Sequence, residues 1–207
     1  MTHLELIHPG KIIAVGLNYR SHADELGMAV PSEPVIFLKP PSSVIGPGDA
    51  IVLPGASRQV DYEAELAVVI GKTVRKVTVD EAASHVLGYT CANDVTARDL
   101  QRLDGQWTRS KSFDTFCPLG PWLETGPPAP ESKVELFLNG ARRQSATISD
   151  MIFSPLELVA FISGVMTLNR GDVILTGTPP GVGGMKVGDE VTVRIDGIGE
   201  LTNSVTL

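Results

Sequence analysis

The sequence predicts an α+β fold that is mainly β, a roll of short strands with two or three short helices. Three observations carry this. With 21 Gly and 15 Pro in 207 residues, turns punctuate the chain throughout. The apolar runs are strand-length, at most about five residues. Asn139-Gly140 and Asp196-Gly197 stand between alternating segments, as hairpin turns do.

Lys11–Gly16 reads as the first strand. Ser21 then resembles a helix N-cap, with Asp24 three residues on to complete a capping arrangement. Val35–Lys39 is a strand closed by Pro40-Pro41, and Val60–Ile70 is a longer one. Residues 80 to 87 suit a short helix stopped by Gly88. Strand 89–92 follows, and Asn93–Asp99 leaves it to start a helix-like run. Trp107–Asp114 has neither helical nor strand period and reads as a loop. Val134–Leu138 leads into the Asn139-Gly140 turn. The strongest helix is 155–167, with Ser154 as cap, Pro155 in the first helical position and Glu157 closing a capping box. Its Leu158, Val159, Phe161, Ile162, Val165 and Met166 form a broad apolar face. Strand 173–176 comes next, and 190–195 with 201–207 make a closing hairpin. No repeat or linker divides the chain, so residues 1–207 are expected to form one domain.

Composition narrows the function. The formal net charge is −7, from 17 basic and 24 acidic residues, with no basic run. That argues against nucleic-acid binding. The N-terminus lacks the basic and apolar segments of a signal peptide, and no apolar run approaches the roughly 20 residues that span a bilayer. Cys91 and Cys117 are too few and too far apart for a Cys-rich zinc site, and read as buried reduced thiols. The expectation is a cytoplasmic enzyme or binding protein.

The chemistry starts in Val60–Ile70. Successive strand side chains alternate between faces, so Asp61, Glu63 and Glu65 share one, roughly 6.5–7 Å apart. Carboxylates that close, beside an apolar run, repel unless protons or a cation compensate. A solvated strand face is the plain alternative. Asp94, at a strand end, offers a third oxygen ligand, although it also suits a helix N-cap. Two glutamates and one aspartate suit Mg²⁺ or Mn²⁺ with positions left for water and substrate, and argue against zinc. His22 and Glu25 are spaced i, i+3 on one helix face, and a carboxylate on an imidazole is the orienter-and-base pair of acid–base catalysis. An exposed surface pair is the alternative. Lys111 could polarise a carbonyl or simply be one more surface lysine. The stretch 177–186 lacks Gly-Lys-Ser/Thr and the third glycine of a dinucleotide fingerprint. It is a turn, or a loop offering the Thr178 hydroxyl and backbone N–H groups to a carboxylate. His3, His8 and His85 lack such partners.

Taken together, the segments resemble the fumarylacetoacetate hydrolase family. The motifs are Gly16-Leu17-Asn18-Tyr19 with His22 and Glu25, Asp61-Tyr62-Glu63-Ala64-Glu65-Leu66, Asn93–Gln101, Lys111-Ser112-Phe113 and Thr176-Gly177-Thr178-Pro179, in the family's order from about Lys11 to the end. The resemblance implies a mixed β-sandwich roll, usually a homodimer. It implies a divalent metal, Mg²⁺ or Mn²⁺ and sometimes Ca²⁺, on Glu63, Glu65 and Asp94. His22 and Glu25 resemble a dyad on a mobile lid, and Lys111 a group that stabilises negative charge. Asn18, Tyr19, Arg98, Gln101 and Thr178 match positions that contact the substrate. The animal enzyme that names the family carries an extra N-terminal domain for which this chain leaves no room. The compact members are therefore the better match: acylpyruvate hydrolases, oxaloacetate decarboxylases, and isomerase/decarboxylases of aromatic catabolism. Their shared substrate is a 2-oxo acid that chelates the metal through its carboxylate and keto oxygens. Hydrolysis of a 3-acylpyruvate through a metal-stabilised enolate is the first expectation. An isomerase or decarboxylase of an oxo-diene dioate, or of oxaloacetate, is the second. A non-catalytic binding protein comes last, since all the candidate groups are present.

Overall fold

The computed structural model describes residues 2, 3 and 9–207. His8 lies outside them. The strands that build the frame are Ile12–Gly16 (β1), Val35–Lys39 (β2), Val60–Tyr62 (β3), Ala64–Ile70 (β4), Val86–Asn93 (β5), Cys117–Glu124 (β6), Lys133–Leu138 (β7), Ala141–Thr147 (β8), Val173–Leu175 (β9), Glu190–Ile195 (β10) and Gly199–Thr206 (β11). The helices used below are Arg20–Leu26 (α1), Arg98–Asp104 (α2), Thr108–Lys111 (α3) and Pro155–Val165 (α4).

The larger sheet runs β6-β5-β4-β9-β1-β2, extended by Thr2–His3 and Val44–Ile45 on β6. It is mixed: β9 lies parallel to β1 and antiparallel to β4. Strand β4 is buried at every position. Its Leu66, Val68 and Ile70 join one apolar cluster, while Ala67 and Val69 join another with Ile12, Ala14 and Val173. This two-sided burial explains why Leu66–Ile70 reads as an unbroken apolar run. The second sheet, β8-β7-β10-β11 plus Ala50–Val52, is antiparallel except for that last pairing. Its Val134, Leu136, Val191, Val193, Ile195, Leu201 and Val205 share one core with Leu66, Val68, Ile70 and Cys91. The two sheets are thus the layers of a mainly-β sandwich. Both cysteines are free and buried, and burial pushes each thiol up to about 12.

Helix α4 forms as its signals predict and ends at Val165. Ser154 Oγ accepts from the Glu157 N–H at 3.4 Å, and the Glu157 carboxylate accepts from the Ser154 N–H at 2.7 Å. Leu158, Val159 and Ile162 are fully buried in the main core, each contributing about 1.5–3 kcal/mol. Asn139 and Gly140 both take positive φ, 51° and 76°, as a tight β7–β8 turn requires.

Local expectations are corrected at four places. Tyr19, not Ser21, caps α1: its extended backbone presents the carbonyl to the N–H groups of His22 and Ala23, which puts Ser21 and Asp24 inside the helix. The 80–87 segment is helical only as far as His85: an α turn, Val79–Ala82, capped by Thr78 with Glu81, continues as 3-10 helix Ala83–His85, and β5 begins at Val86. Gly88 lies inside β5, where a side chain would meet the Glu124 carbonyl at 2.5 Å. Residues 108–111 are helical rather than loop. Strand 60–70 is broken at Glu63, so Asp61 does not belong to one continuous carboxylate face. The Glu63 N–H goes to Asn93 Oδ1 at 2.9 Å and its carbonyl accepts from the Asp94 N–H at 2.8 Å, which takes it out of the ladder. Among the described residues no helix is long and apolar enough to cross a membrane.

Candidate active site

The break at Glu63, the start of β4 and the end of β5 bring three carboxylates together. One oxygen each from Glu63, Glu65 and Asp94 lie within 4.8 Å of one another, and all three residues are buried. Cations surround two of them. Lys111 Nζ donates to Glu63 at 2.8 Å and to Asp94 at 2.6 Å. Lys39, at the end of β2, donates to the other Asp94 oxygen at 2.6 Å. Arg98, first in α2, spreads its fork over Asp61 (2.8 Å), Glu63 and the Gln101 side-chain oxygen (2.6 Å). Glu65 forms no ion pair among the described residues and accepts from the Gly177 N–H at 2.5 Å.

The proton affinities follow from this layout. Burial works against the charge of Glu63, but Lys111 and Arg98 outweigh it and hold the carboxyl at about 2. Glu65 is pushed well above its ordinary range by burial and by its neighbours Asp94 and Glu63. Burial also disfavours the Lys111 ammonium, yet Asp94 and Glu63 raise it overall, so it stays charged. The cluster therefore holds one buried carboxylate lacking a cation of its own. Three converging hard oxygen donors with that deficit fit a divalent cation that takes oxygen ligands.

A cavity of about 280 Å³ opens on the cluster, lined also by His22, Arg98, Gln101, Lys111 and Thr178. Its apolar wall includes Val15, Phe37 and Trp107. Gly16 makes room for that wall, since a Cβ there would lie 2.6 Å from the Trp107 ring. Trp107 meets Phe37 edge-on, centroids 5.2 Å apart at 78°, and Lys111 Nζ sits 5.1 Å over Phe37. His22 Nδ1 hydrogen-bonds Glu25 Oε2 at 2.9 Å, and Glu25 also accepts from the Gly181 N–H at 3.3 Å, tying α1 to the glycine-rich loop. With Nδ1 donating to the carboxylate, Nε2 is the ring nitrogen left to accept a proton.

Of the residues expected from sequence, Glu63, Glu65, Asp94, His22, Lys111, Arg98, Gln101 and Thr178 converge on this cavity, and Glu25 stands behind His22. Asn18 and Tyr19 do not line it. The Asn18 amide is engaged with backbone, donating to the carbonyls of Phe153 (2.9 Å) and Thr176 (2.7 Å) and accepting from the Phe153 N–H (2.8 Å). Tyr19 is buried in the core as the cap of α1. Three residues of the site carry no clear signal in the sequence. Lys39 looks like the polar end of an ordinary strand, and lysine is rarely buried. Gln144 lies in the polar run Arg142-Arg143-Gln144-Ser145, where nothing local distinguishes it. Yet its Oε1 accepts from the Ala64 N–H at 2.9 Å, and its Nε2 donates to Thr178 Oγ1 at 2.8 Å and the Pro179 carbonyl at 2.7 Å. Trp107 is visible as an aromatic in a polar stretch, without a role.

Comparison with known proteins agrees with this geometry. Residues 11–206 match the family described as Fumarylacetoacetate (FAA) hydrolase C-terminal. The solved structure of 5-carboxymethyl-2-hydroxymuconate delta-isomerase from Mycobacterium smegmatis is 49% identical with a TM-score of 0.92, covering 99% of this chain and 81% of that one. Fumarylpyruvate hydrolase from Pseudomonas aeruginosa, solved with Mn²⁺ and pyruvate, is 33% identical with a TM-score of 0.90, covering 96% and 90%. The mitochondrial oxaloacetate tautomerase of Rattus norvegicus is 44% identical over 208 residues, 95% of this chain and 66% of that protein. By the matched profile, these likenesses and its carboxylate triad, the chain belongs to the fumarylacetoacetate hydrolase family.

Proposed function

We propose that the protein is a divalent-cation-dependent enzyme that moves a proton at C3 of a 2-oxo acid, interconverting enol and keto forms or positional isomers. The observation that carries this is one free imidazole nitrogen, oriented by Glu25, on the same cavity as three buried carboxylates. The delta-isomerase and tautomerase relatives support it, at 49% and 44% identity.

A cation held by Glu63, Glu65 and Asp94 would supply Lewis acidity toward the carboxylate and keto oxygens of the substrate. The chain's own groups do the rest. Thr178 Oγ1 already accepts from Gln144, so its hydroxyl proton is available to the substrate carboxylate. His22 Nε2 accepts the C3 proton in one direction and returns it in the other; where the enolate is conjugated onward, delivery of the proton to C5 instead of C3 moves the double bond and gives the positional isomer. Lys111 keeps its charge between Glu63 and Asp94 and adds a positive field where negative charge develops on the 2-oxo group. Phe37 and Trp107 keep one side of the cavity dry.

Hydrolysis of a 3-acylpyruvate is the second reading, favoured by the likeness to fumarylpyruvate hydrolase. There His22 would take its proton from a water attacking the distal carbonyl, and the C3–C4 bond would break. Sequence alone places hydrolysis first. The isomerase and tautomerase relatives, at 49% and 44% identity against 33% for the fumarylpyruvate hydrolase, support putting proton transfer first here.

The test is Mn²⁺-loaded protein with enol-oxaloacetate, a hydroxy-heptadiene dioate and an acylpyruvate, followed by ultraviolet absorbance and by proton NMR in D₂O. Expected are solvent-derived deuterium at C3, loss of activity on exhaustive chelation, and a decrease of about 10²–10⁴-fold in His22→Ala. Activity indifferent to chelation sinks the metal assignment. Fast cleavage of the acylpyruvate, with no exchange on the other substrates, establishes hydrolysis in place of proton transfer.

A further inference from the structure

A second cavity, of about 330 Å³, shares His22, Arg98, Gln101 and Arg102 with the first and adds Gln59, Asp61 and the backbone around Gly183. The carboxylate triad lines only the first. A substrate anchored at the triad and reacting beside His22 therefore has a polar chamber for its far end.

The charges in that chamber are unevenly matched. Asp61 is engaged by Arg98 Nε at 2.8 Å and by Gln59 Nε2 at 3.2 Å. Arg98 is spread over Asp61, Glu63 and Gln101. Arg102, one helical turn further along α2, has only a 3.5 Å contact to Gln59 Oε1 and no ion pair among the described residues. The acids of its own helix are occupied elsewhere. Asp99 accepts from Ser57 Oγ at 2.6 Å and the Arg58 N–H at 2.9 Å, and Asp104 accepts from Arg109 Nε at 2.7 Å. Nearer the triad, Lys39, Lys111 and Arg98 meet the charges of Asp61, Glu63 and Asp94, and Glu65 is left without a cation among the described residues. A divalent ion then leaves a single positive charge, matched by the carboxylate of a 2-oxo acid. Arg102 stands outside that balanced set.

We infer that Arg102, with Gln59 beside it, binds a second carboxylate at the far end of the substrate, making the site selective for 2-oxo dicarboxylates over monocarboxylates. The inference rests on the 2-oxo acid reading and names its substrate class. A guanidinium fork pairs with a carboxylate through two parallel N–H donors, which selects for charge and position together. Arg102 is exposed in the empty cavity, so its pairing energy is realised when the ligand screens it from water.

Calorimetric titration of the Mn²⁺-loaded protein with 2-oxoadipate and 2-oxohexanoate, equal in length and differing in the terminal carboxylate, tests this without turnover. The wild-type protein is expected to bind the dicarboxylate about tenfold more tightly or better. Arg102→Met brings the ratio near one, Arg102→Lys keeps part of it, and Gln59→Leu reduces it. Mn²⁺ affinity, measured separately, reports that each variant is folded. A wild-type ratio near one, or one unchanged in Arg102→Met, overturns the subsite. If Mn²⁺ binds but neither oxo acid does, the subsite and the 2-oxo acid reading both fall. If the preference is present and lost in Arg102→Met while no enol substrate turns over, the subsite stands and the proposed reaction falls.

Discussion

Thr178 shows how much of the site depends on one hydrogen-bond direction. Gln144 cannot be turned over, because its Oε1 meets the Ala64 N–H and its Nε2 meets the Pro179 carbonyl. Nε2 therefore donates to Thr178, and the hydroxyl is left as a donor toward the cavity. In Gln144→Glu the new carboxylate accepts from Thr178 instead and turns that proton away. The expected outcome is a KM for 2-oxo acids raised about tenfold with Mn²⁺ affinity unchanged, and no further loss on adding Thr178→Val. Additive losses, or a fall in Mn²⁺ affinity, would show that Gln144 is merely structural. Glu63, Glu65 and Asp94 are legible in the sequence because acids beside an apolar run are chemically conspicuous. Gln144 and Lys39 are not, because each joins the site only through partners 34 to 80 positions away.

At the level of elements, interruptions make the site. Ending β3 at Tyr62 and restarting at Ala64 separates Asp61 from the triad and sends it to Arg98 and Gln59. An alternation rule applied across 60–70 could not foresee the break, because the reason for it is Asn93, which takes the Glu63 N–H from the neighbouring strand. The end of β1 works similarly: Gly16 lets α3 lay Trp107 against it as the cavity wall. Gly16→Ala would push that indole away. A changed tryptophan emission maximum and a KM raised several-fold are expected, with Mn²⁺ binding retained, since no triad ligand moves. An unchanged emission spectrum and KM would show that the wall tolerates the methyl group. The α4 cap is legible for the opposite reason. Ser154, Pro155 and Glu157 interact within four residues, so their geometry is local.

For the whole molecule, the buried carboxylates link folding, pH and metal. Burial, Asp94 and Glu63 raise Glu65 in the folded chain above its ordinary 4.5. Below that value the group is protonated in both states and is neutral to stability. As pH rises past it the unfolded chain ionises first, so the metal-free protein loses stability until the folded group ionises too. Glu63 behaves oppositely: held at about 2, it contributes stability above 4.5 that is lost as pH falls through its folded value. A divalent cation held by the ionised triad would offset the Glu65 penalty. The rise in Tm produced by Mn²⁺ in scanning calorimetry is therefore expected to be larger near about pH 8 than near about pH 5. An equal or smaller rise at the higher pH would contradict the assignment of Glu65 as the uncompensated ligand.

By itself the sequence determined the mainly-β class, the capped helix α4, the hairpin at Asn139-Gly140 and the acidic and imidazole groups available for chemistry. These depend on neighbours within a few residues or on residue type. Only the tertiary structure decided which carboxylates converge, which of them are paired with cations, and that Asn18 and Tyr19 do not line the cavity. Charge balance and hydrogen-bond direction depend on distances across β2, β4, β5, α2 and α3. Those distances exist only once the sheets have packed.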